Sequence, residues 1–367
     1  MSRVIVGLSG GVDSAVSALL LKEQGHEVHG LFMSNWDDED DDVYCTSAAD
    51  YQDARAVARE LSIPLHRVSF AAEYRARVFE YFLSEQRAGR TPNPDVLCNR
   101  EIKFGVALRY AQRLGGDLFA TGHYARIVQT QDGPELRKAR DVSKDQTYFL
   151  HAVNRQDFAR VLTPLGDLLK HDVRERARCA GLPVFDKPDS TGICFIGERP
   201  FREFLAKFLR EEPGPILTAE GEPLGTHRGL AFYTLGQREG LQIGGRRGRD
   251  EAPWYIAAKD RARNALVVVQ GHDHPLLSSR ELTTEPLHWL KSAPTDAFRC
   301  TVKVRYRQPD QLATLEPLVN GAARVVFDQP QRAVTPGQYA VVYDGDRCLG
   351  GGIIESVAQP QIKQVAA

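Results

Sequence analysis

The segment Ser-Gly-Gly-Val-Asp-Ser at 9–14 constrains the fold more than any other part of the chain. A short apolar run at 3–8 precedes it and predicts a buried strand. Apolar side chains recur with helical spacing over 14–24, and Gly25 is placed to end that helix. A strand, a glycine-rich turn and a helix in this order predict one βα unit of a parallel sheet, because parallel neighbours need a crossover connection.

The alternation of strand and helix patterns continues through the first half of the chain. Apolar runs predict further strands at 27–33, 64–70 and 117–121, and helical patterns lie at 47–61, 74–87 and 100–114. Strands that alternate with helices favour right-handed crossovers. We therefore predict an α/β fold for this half, a doubly wound parallel sheet with helices on both faces.

The pattern changes after the first half. A basic helical pattern covers 156–181, an aperiodic loop follows at 186–192, and a short helix is expected at 200–211. Beyond Pro213 short strand patterns alternate with turn residues, which is typical of small β-barrels. We expect three domains, and the helical extension at 155–198 belongs to the first: 1–198 for nucleotide binding and catalysis, 199–275 as a mainly β central domain, and 276–360 as a C-terminal β-barrel.

The 9–14 segment is suited to binding phosphate. Gly10 and Gly11 allow an anion to approach the backbone, and the following helix presents free N–H groups at its positive end. No Gly-Lys-[Ser/Thr] sequence follows, so this is not a Walker loop. It matches the pyrophosphate loop of enzymes that split ATP between its α and β phosphates, where Asp13 would help to hold Mg²⁺. The alternative is a plain turn with Ser14 or Asp13 as the helix cap.

Two cysteines are candidates for chemistry. Pro94 keeps Asn93 out of helical geometry, so Cys98 is expected near a helix N-terminus, where the dipole favours thiolate. Asp95 is within reach as a general acid or base. Cys194 follows an aperiodic loop, and loops often carry function. The alternatives are inert buried thiols and an N-capping Asp95; the absence of a Cys-x-x-Cys pair disfavours a metal site.

Composition excludes several classes of protein. Six cysteines in 367 residues are too few for a disulfide scaffold, and Cys179, Cys300 and Cys348 fit core positions. No run of about 18 apolar residues predicts a membrane span, and no signal peptide pattern opens the chain. We expect a cytoplasmic protein with no membrane partner.

The net charge of −1 averages over unlike segments. Residues 1–42 hold two basic and nine acidic residues, a net charge of −7, so the other 325 residues carry +6. Arg299, Lys303, Arg305 and Arg307 surround Tyr306, a combination that suits phosphate contact and base stacking, although a solvated barrel strand is the alternative. Any attraction to nucleic acid is therefore expected to be local.

Seven motifs in a fixed order identify a resemblance that extends from residue 3 to about 355. The two cysteine motifs together with the phosphate loop make it specific. The chain resembles the bacterial tRNA-specific 2-thiouridylase family, whose motifs appear here as Ser-Gly-Gly-Val-Asp-Ser (9–14), Asn-Pro-Asp-Val-Leu-Cys-Asn (93–99), Thr-Gly-His-Tyr (121–124), Lys-Asp-Gln-Thr-Tyr-Phe-Leu (144–150), Asp-Ser-Thr-Gly-Ile-Cys-Phe-Ile-Gly (189–197), Tyr-Thr-Leu-Gly-Gln-Arg (233–238) and Val-Arg-Tyr-Arg (304–307).

The resemblance implies an adenine nucleotide alpha hydrolase-like fold for the first domain and a reaction with ATP. The enzyme would adenylate O2 of the wobble uridine in the tRNAs for Lys, Glu and Gln, and release pyrophosphate. The residues implied for ATP are Gly7, Leu8, Ser9, Gly10, Gly11, Val12, Asp13, Ser14, Met33 and Gly122.

The resemblance also implies roles in sulfur transfer and tRNA binding. Cys194 would receive a persulfide from a sulfur-relay protein or a cysteine desulfurase, and Cys98 would form a disulfide with it as sulfur leaves. Asp95 would act as acid or base. The residues implied for tRNA contact are Asn93, Pro94, Asp95, Lys144, Asp145, Gln146, Arg305 and Tyr306.

Two other functions remain open on the sequence. One is another AMP-forming pyrophosphate-loop synthetase or ligase with a small-molecule acceptor, for which both cysteines would be dispensable. The other is a non-catalytic RNA-binding or redox module. We also expect the loop at 186–194 to refold on tRNA binding, because Cys194 lies in an aperiodic segment.

Overall fold

The computed structural model describes residues 1–36, 46–189, 201–243 and 252–358. Cys45, Cys194 and the acidic run at 37–42 lie outside these ranges. The strands are β1 (Arg3–Gly7), β2 (Glu27–Ser34), β3 (Leu65–Ser69), β4 (Leu118–Ala120), β5 (Ala125–Thr130), β6 (Gly133–Lys138), β7 (Val161–Leu162), β8 (Gly214–Thr218), β9 (Pro223–His227), β10 (Trp254–Asp260), β11 (Ala265–Gln270), β12 (Ser278–Thr284), β13 (His288–Trp289), β14 (Phe298–Lys303), β15 (Gln311–Pro317), β16 (Ala323–Arg332), β17 (Tyr339–Asp344) and β18 (Arg347–Val357).

Two of the longer helices are continuous through a π-helical part. One joins α3 to α4 through Arg75–Phe79, and the other joins α5 to α6 through Cys98–Ala107. The α-helical segments are α1 (Val12–Glu23), α2 (Thr46–Glu60), α3 (Ala71–Tyr74), α4 (Glu80–Arg87), α5 (Pro94–Leu97), α6 (Leu108–Arg113), α7 (Thr147–Leu150), α8 (Lys170–Cys179) and α9 (Phe201–Ala206), and 3₁₀ turns lie at Asp157–Arg160, Leu230–Phe232, Pro275–Leu277 and Val319–Gly321.

The N-terminal part contains a five-stranded parallel sheet in the order β3-β2-β1-β4-β7. Side chains alternate along β1, so Ile5 packs into the core on one face while Val4 and Val6 pack into the core on the other. Helices α1, α2 and α8 cover the second face, and the helices around the two π-helical parts cover the first. The predicted doubly wound α/β fold is confirmed.

The predicted helix over 156–181 is wrong in its first half. Val161 pairs with Phe119 as part of β7, and the helix begins only at Lys170. Pro164 explains the break, because it disfavours helical geometry at the residue before it and removes a backbone donor. Gly166 then passes so close to the Ala125 carbonyl that a Cβ would overlap it.

The rest of the chain builds two further β structures. Strands β8 to β11 form a four-stranded sheet in the order β10-β11-β8-β9. Six strands then follow the circular order β12-β16-β15-β14-β17-β18, and β18 pairs back onto β12 to close a barrel. The predicted C-terminal β-barrel is confirmed. Gly345, with φ of 59°, lies in the hairpin turn between β17 and β18, and the dipeptide Asp-Gly at 344–345 is the sequence signal for that turn.

A hairpin that the sequence analysis missed connects the two halves. Strands β5 and β6 pair with each other, and β6 continues onto β18 of the barrel through Arg137 and Arg347. The Lys138 N–H donates to the Asp346 carbonyl at 2.7 Å, and Arg126 pairs with the Asp346 side chain at 2.7 Å. The dipeptide Asp-Gly at 132–133 was the available hairpin signal.

The carboxylate of Glu135 forms ion pairs that connect the hairpin of β5 and β6 to the barrel. The residue is buried, and its side chain lies 2.8 Å from both the Arg137 guanidinium and the Lys291 ammonium, with Arg347 at 3.7 Å. Hydrogen bonds from Lys291 and then Arg137 lower the pKa of Glu135 to about 2. Because the folded state favours the ionised form, Glu135 contributes stability above its ordinary pKa of 4.5 and loses that contribution as pH falls towards 2.

We expect Glu135→Gln to lower the urea midpoint at pH 7, with a difference from wild type that shrinks as pH falls from 4.5 towards 2. Urea titrations between pH 7 and pH 2.5, followed by circular dichroism, measure this difference. The matched control is Glu220→Gln at an exposed position, which should follow wild type throughout. A difference that is constant over the whole pH range would contradict the role given to Glu135.

Candidate active site

The phosphate loop has a backbone that only glycine allows at one position. Gly10 has φ of 79°, and a Cβ there would overlap the carbonyl oxygen of Asp50 in α2. Gly11 is the N-cap of α1 with φ of −101°, and no side chain caps the helix. The first N–H groups of α1 are therefore available to an anion, as the sequence suggested.

The two serines shape the loop from inside. The Ser9 N–H donates to the Ser14 hydroxyl at 3.1 Å, and the two hydroxyl oxygens lie 3.2 Å apart. The Ser14 hydroxyl donates to the Gly11 carbonyl at 3.0 Å. These bonds hold the loop in its turn without using the backbone donors at the start of α1.

The other residues predicted for ATP lie beside this loop. A Cβ on Gly7 would be 3.4 Å from the Met33 side chain, so β1 and β2 bring the two together. Gly122 follows β4, and a Cβ there would lie 2.8 Å from the Ser14 nitrogen. The predicted residues thus share the carboxyl edge of the sheet, where open α/β sheets bind ligands.

His123 lies next to Gly122 and is buried. Its Nδ1 is 2.8 Å from the Thr121 hydroxyl, and its ring packs 5.6 Å from that of Phe104. Burial, with the charge of Lys103 in addition, lowers the pKa of His123 well below its usual range. The imidazole is therefore neutral at pH 7.

A network of ion pairs that the sequence analysis missed surrounds Asp13. Lys170, the first residue of α8, lies 2.7 Å from both Asp13 oxygens and 2.8 Å from Asp189. The Tyr124 hydroxyl donates to Asp13 at 2.8 Å, and Lys144 reaches Asp189 at 2.7 Å. Burial opposes ionisation of Asp189, but hydrogen bonds from Lys144 and Lys170 outweigh it and lower its pKa to about 2.

A second lysine is tied directly to the phosphate loop. The Lys187 ammonium donates to the Gly10 carbonyl at 3.1 Å, to Asp50 at 2.7 Å and to Asp53 at 2.5 Å. Burial by itself would lower the pKa of Lys187, but the hydrogen bonds that its ammonium donates to the two carboxylates raise it. Lys187 and Asp189 thus anchor the beginning of the segment that leads to Cys194.

The motif at 93–99 borders a cavity of about 620 Å³. Asn93, Pro94 and Asp95 form one wall, Leu205 of α9 and Phe232 form others, and further residues come from the central part and the barrel. Asn93 caps α5, because its side-chain oxygen accepts the Asp95 N–H at 3.1 Å. The volume is typical of small-ligand sites and large enough for a nucleobase.

Cys98 lies deeper in its helix than the sequence predicted. The helix begins at Pro94, so Cys98 is in its second turn and is 1% exposed. The dipole effect fades beyond the first turn, so this position receives less of it than a residue at the helix end would, and the Cys98 thiolate stays a prediction. The Asn99 side chain donates to the Asp95 carbonyl at 2.9 Å, a hydrogen bond within this turn of the helix.

Four of the residues predicted for tRNA contact lie where the N-terminal part meets the barrel: Lys144, Asp145, Gln146 and Tyr306. The Tyr306 hydroxyl lies 3.4 Å from the Lys144 carbonyl, and burial raises its pKa to about 12. Gln146 accepts the Tyr124 N–H at 2.9 Å. Asp145 is 3% exposed and accepts hydrogen bonds from Ala139 and Thr147.

The basic stretch at 299–307 does not form a continuous charged surface. Arg299 pairs with Asp328 at 2.6 Å, and Lys303 is buried beside Asp310. Arg305 donates to the Ala333 carbonyl at 2.6 Å, and burial lowers its pKa. Partners on other segments of the barrel, such as Asp328 on β16, account for this, and they are not visible in the spacing of charges.

The remaining cysteines differ in exposure, and the metal expectations stay open. Cys300 and Cys348 are buried as predicted, but Cys179 is exposed at the end of α8, where its thiol donates to Glu175 at 3.3 Å. In the part of the chain that the structure describes, no three His, Cys, Asp or Glu side chains are grouped to hold a metal. Both oxygens of Asp13 are engaged by Lys170, so the Mg²⁺ expected there stays a prediction.

Comparison with known proteins addresses the family. The profile described as tRNA methyl transferase HUP domain matches residues 2–198, a PRC-barrel domain profile of the same name matches 202–270, and an aminomethyltransferase beta-barrel domain profile matches 279–354. A tRNA-specific 2-thiouridylase MnmA from Hahella chejuensis is 58% identical over 97% of this chain and 98% of its own. The chain belongs to the tRNA-specific 2-thiouridylase family.

Other relatives of the same name extend this finding. The 2-thiouridylase of Halorhodospira halophila is 56% identical over 96% of this chain and 93% of its own, and that of Vibrio cholerae is 54% identical over 96% of each. A solved 4-thiouridine synthetase in complex with RNA and ATP is 20% identical, with a TM-score of 0.34 over 56% of this chain and 50% of its own. Among the described residues of this 2-thiouridylase family member, no helix is both long and apolar enough to cross a membrane.

We expect Gly10→Ala to destabilise the protein by at least about 1–2 kcal/mol, because alanine resists a positive φ and its Cβ would overlap Asp50. The matched control is Gly11→Ala, since φ there is negative and its Cβ would lie 3.5 Å from the Ser9 hydroxyl, an ordinary contact. Urea unfolding of both variants measures the effect. Equal stability of the two would contradict the geometry described for the loop.

Proposed function

We propose that the protein is an ATP-dependent tRNA-uridine 2-sulfurtransferase that acts on the wobble uridine. The observation that carries this proposal is the phosphate loop at 7–14, with its uncapped helix and its tightly packed Gly10, in a member of the 2-thiouridylase family. Loops of this kind bind the phosphates of ATP through backbone N–H groups. ATP is consumed in the reaction and is therefore a substrate.

ATP is proposed to bind with its phosphates at the start of α1 and its adenosine towards Met33 and Gly122. The close approach of Gly122 to the loop supports this, because any side chain there would fill the space over Ser14. Leu8 and Val12 are buried in the core, which holds the loop in place. Mg²⁺ would accompany the phosphates as it does in other ATP sites, with Asp13 as the nearest loop carboxylate.

The first chemical step is proposed to activate the uridine. Its O2 attacks the α-phosphorus of ATP, the bond to the β-phosphate oxygen breaks, and pyrophosphate leaves with the electron pair. The N3 proton must be lost as the uridine becomes an adenylate, and Asp95 is the proposed acceptor. The reaction turns a poor leaving group on C2 into AMP.

The second step is proposed to transfer sulfur. A sulfur-relay protein or a cysteine desulfurase supplies Cys194 with a persulfide, whose terminal sulfur attacks C2 and displaces AMP. The Cys98 thiolate then attacks the Cys194 sulfur, and the electron pair of the broken S–S bond remains on the sulfur bound to C2. The product is 2-thiouridine, and a thiol reductant must reduce the resulting disulfide before the next turnover.

The cavity of about 620 Å³ is proposed to receive the target base. C2 of a stacked anticodon base is shielded, so the base must turn out of the stack into a pocket. Asn93, Pro94 and Asp95 border the cavity, and Cys98 follows Asp95 by three residues in the same helix. Base, acid–base residue and thiol would then be close to one another.

The tRNA is proposed to lie across the junction of the N-terminal part and the barrel, and the tRNAs for Lys, Glu and Gln are the expected substrates. Lys144, Gln146 and Tyr306 are partly exposed there and supply charge, an amide and an aromatic face. Arg305 and Asp145 are already engaged within the protein, so we propose that they act by shaping this surface. The reaction is expected in the cytoplasm, where tRNA is modified.

We expect Cys194→Ser and Cys98→Ser each to reduce 2-thiouridine formation at least 100-fold, about the effect of losing one group that acts in the reaction. The assay contains ATP, a persulfide donor and unmodified tRNA, and nucleoside mass spectrometry measures the product. Cys179→Ser is the matched control, because this thiol is exposed at the end of α8. Unchanged thiolation by either of the first two variants would refute the sulfur-transfer step.

We expect AMP and pyrophosphate to form only when tRNA is present, because the uridine is the group that attacks ATP. Chromatography of the nucleotides after incubation with and without tRNA measures this dependence. AMP formation with a small-molecule acceptor and no tRNA would favour an AMP-forming synthetase instead. Thiolation without AMP would contradict the adenylation step.

A further inference from the structure

Lys170 lies at the phosphate loop without any role in the steps described above. It opens α8, whose helix packs against α1, and its ammonium group lies 2.7 Å from both oxygens of Asp13. The side chain is 12% exposed, so its end faces the loop rather than open solvent. A lysine of this kind is a compact positive charge beside the helix end at which an anion would bind.

The position of Lys170 is determined by groups around it on all sides. Its backbone N–H donates to Asp141 at 2.9 Å, its ammonium also reaches Asp189 at 2.8 Å, and the ring of Tyr124 lies 5.5 Å from it. Asp189 has other cations of its own, since Lys144 and Arg174 lie 2.7 and 2.8 Å from it. Asp189 would therefore remain paired if Lys170 turned to another anion.

The charge balance at Asp13 changes when ATP enters. The triphosphate brings several negative charges to the loop, next to a carboxylate that is already negative, and a cation is needed to offset them. Lys170 is the ammonium group that contacts Asp13 in the described structure. Lysine serves as a point-charge partner for phosphate in other nucleotide sites.

We propose that Lys170 is a phosphate-binding residue that donates to the β- and γ-phosphates of ATP and then to the departing pyrophosphate. The inference rests on the proposed function and extends it by one residue. As O2 of the uridine bonds to the α-phosphorus, the electron pair of the breaking bond moves onto pyrophosphate, and the Lys170 ammonium offsets that charge without giving up its proton. After pyrophosphate leaves, Lys170 returns to Asp13.

A purely structural ion pair between α1 and α8 makes a different prediction. Loss of such a pair would affect ATP, pyrophosphate and AMP alike, or none of them. A contact with the β- and γ-phosphates affects ATP and pyrophosphate but not AMP, which lacks these groups. The comparison of the three ligands therefore separates the two roles.

The test is isothermal titration calorimetry of the full chain with Mg²⁺–ATP, Mg²⁺–pyrophosphate and AMP. We expect Lys170→Gln to bind ATP and pyrophosphate about 10- to 100-fold more weakly, the effect of one lost hydrogen bond to a charged group, with AMP affinity unchanged. Lys170→Arg should restore part of the affinity. Arg174→Gln is the matched control, because Arg174 contacts Asp189 but not Asp13, and it should bind all three ligands as wild type does.

Each outcome separates this inference from the proposed function. Wild-type protein that binds neither ATP nor pyrophosphate overturns both. ATP and pyrophosphate binding that is equal in wild type and Lys170→Gln overturns the role of Lys170 alone. If Lys170→Gln does not fold, amine labelling of wild type gives the answer: pyrophosphate should protect Lys170 and AMP should not, and equal protection by both overturns the inference.

Discussion

One apolar layer determines where the parts of this protein lie relative to one another. It begins on the face of the parallel sheet that carries Ile5 and Leu31, continues through the helices of Phe79 and Cys98, and ends among barrel residues such as Tyr343. Trp36 lies near its middle and packs edge-on against Phe79 at 4.8 Å. Because a parallel sheet must be covered on both faces, the barrel and α9 contribute to a core that begins in the sheet.

The shared layer places the candidate site at a junction of all three parts. The motif at 93–99, helix α9 and Gln338 of the barrel each reach the same cavity because each is fixed to that core. The phosphate loop lies at the carboxyl edge of the same sheet, where loops can vary without disturbing the core. The candidate site therefore combines a packed core with loops and surfaces from three parts of the chain.

Local patterns in the sequence predicted the local structure well. The βα unit around 9–14, the end of α1 at Gly25 and the turn at Gly345 follow from spacing and glycine chemistry alone. The strand at 161–162 was hidden because two residues carry no period, and its partner lies in β4. Cys98 was placed too near a helix end because the helix includes the motif that was taken to precede it.

Long-range pairing is what the sequence could not reveal. Lys170 and Asp13 are 157 positions apart, and nothing in either neighbourhood points to the other. The spacing of the charges at 299–307 leaves phosphate contact and a solvated barrel strand both open, because partners such as Asp328 lie on another strand. A charge pattern predicts a binding surface only when its members are unpaired in the folded protein.

The hairpin of β5 and β6 has a consequence for how the chain is made. Its Arg126 pairs with Asp346, 220 positions later, so the hairpin leaves the ribosome long before its partner strand exists. At about 5–20 residues per second, the wait is about 10–45 s. During that time one strand edge and part of the apolar layer have no cover, and an uncovered strand edge can pair with other chains.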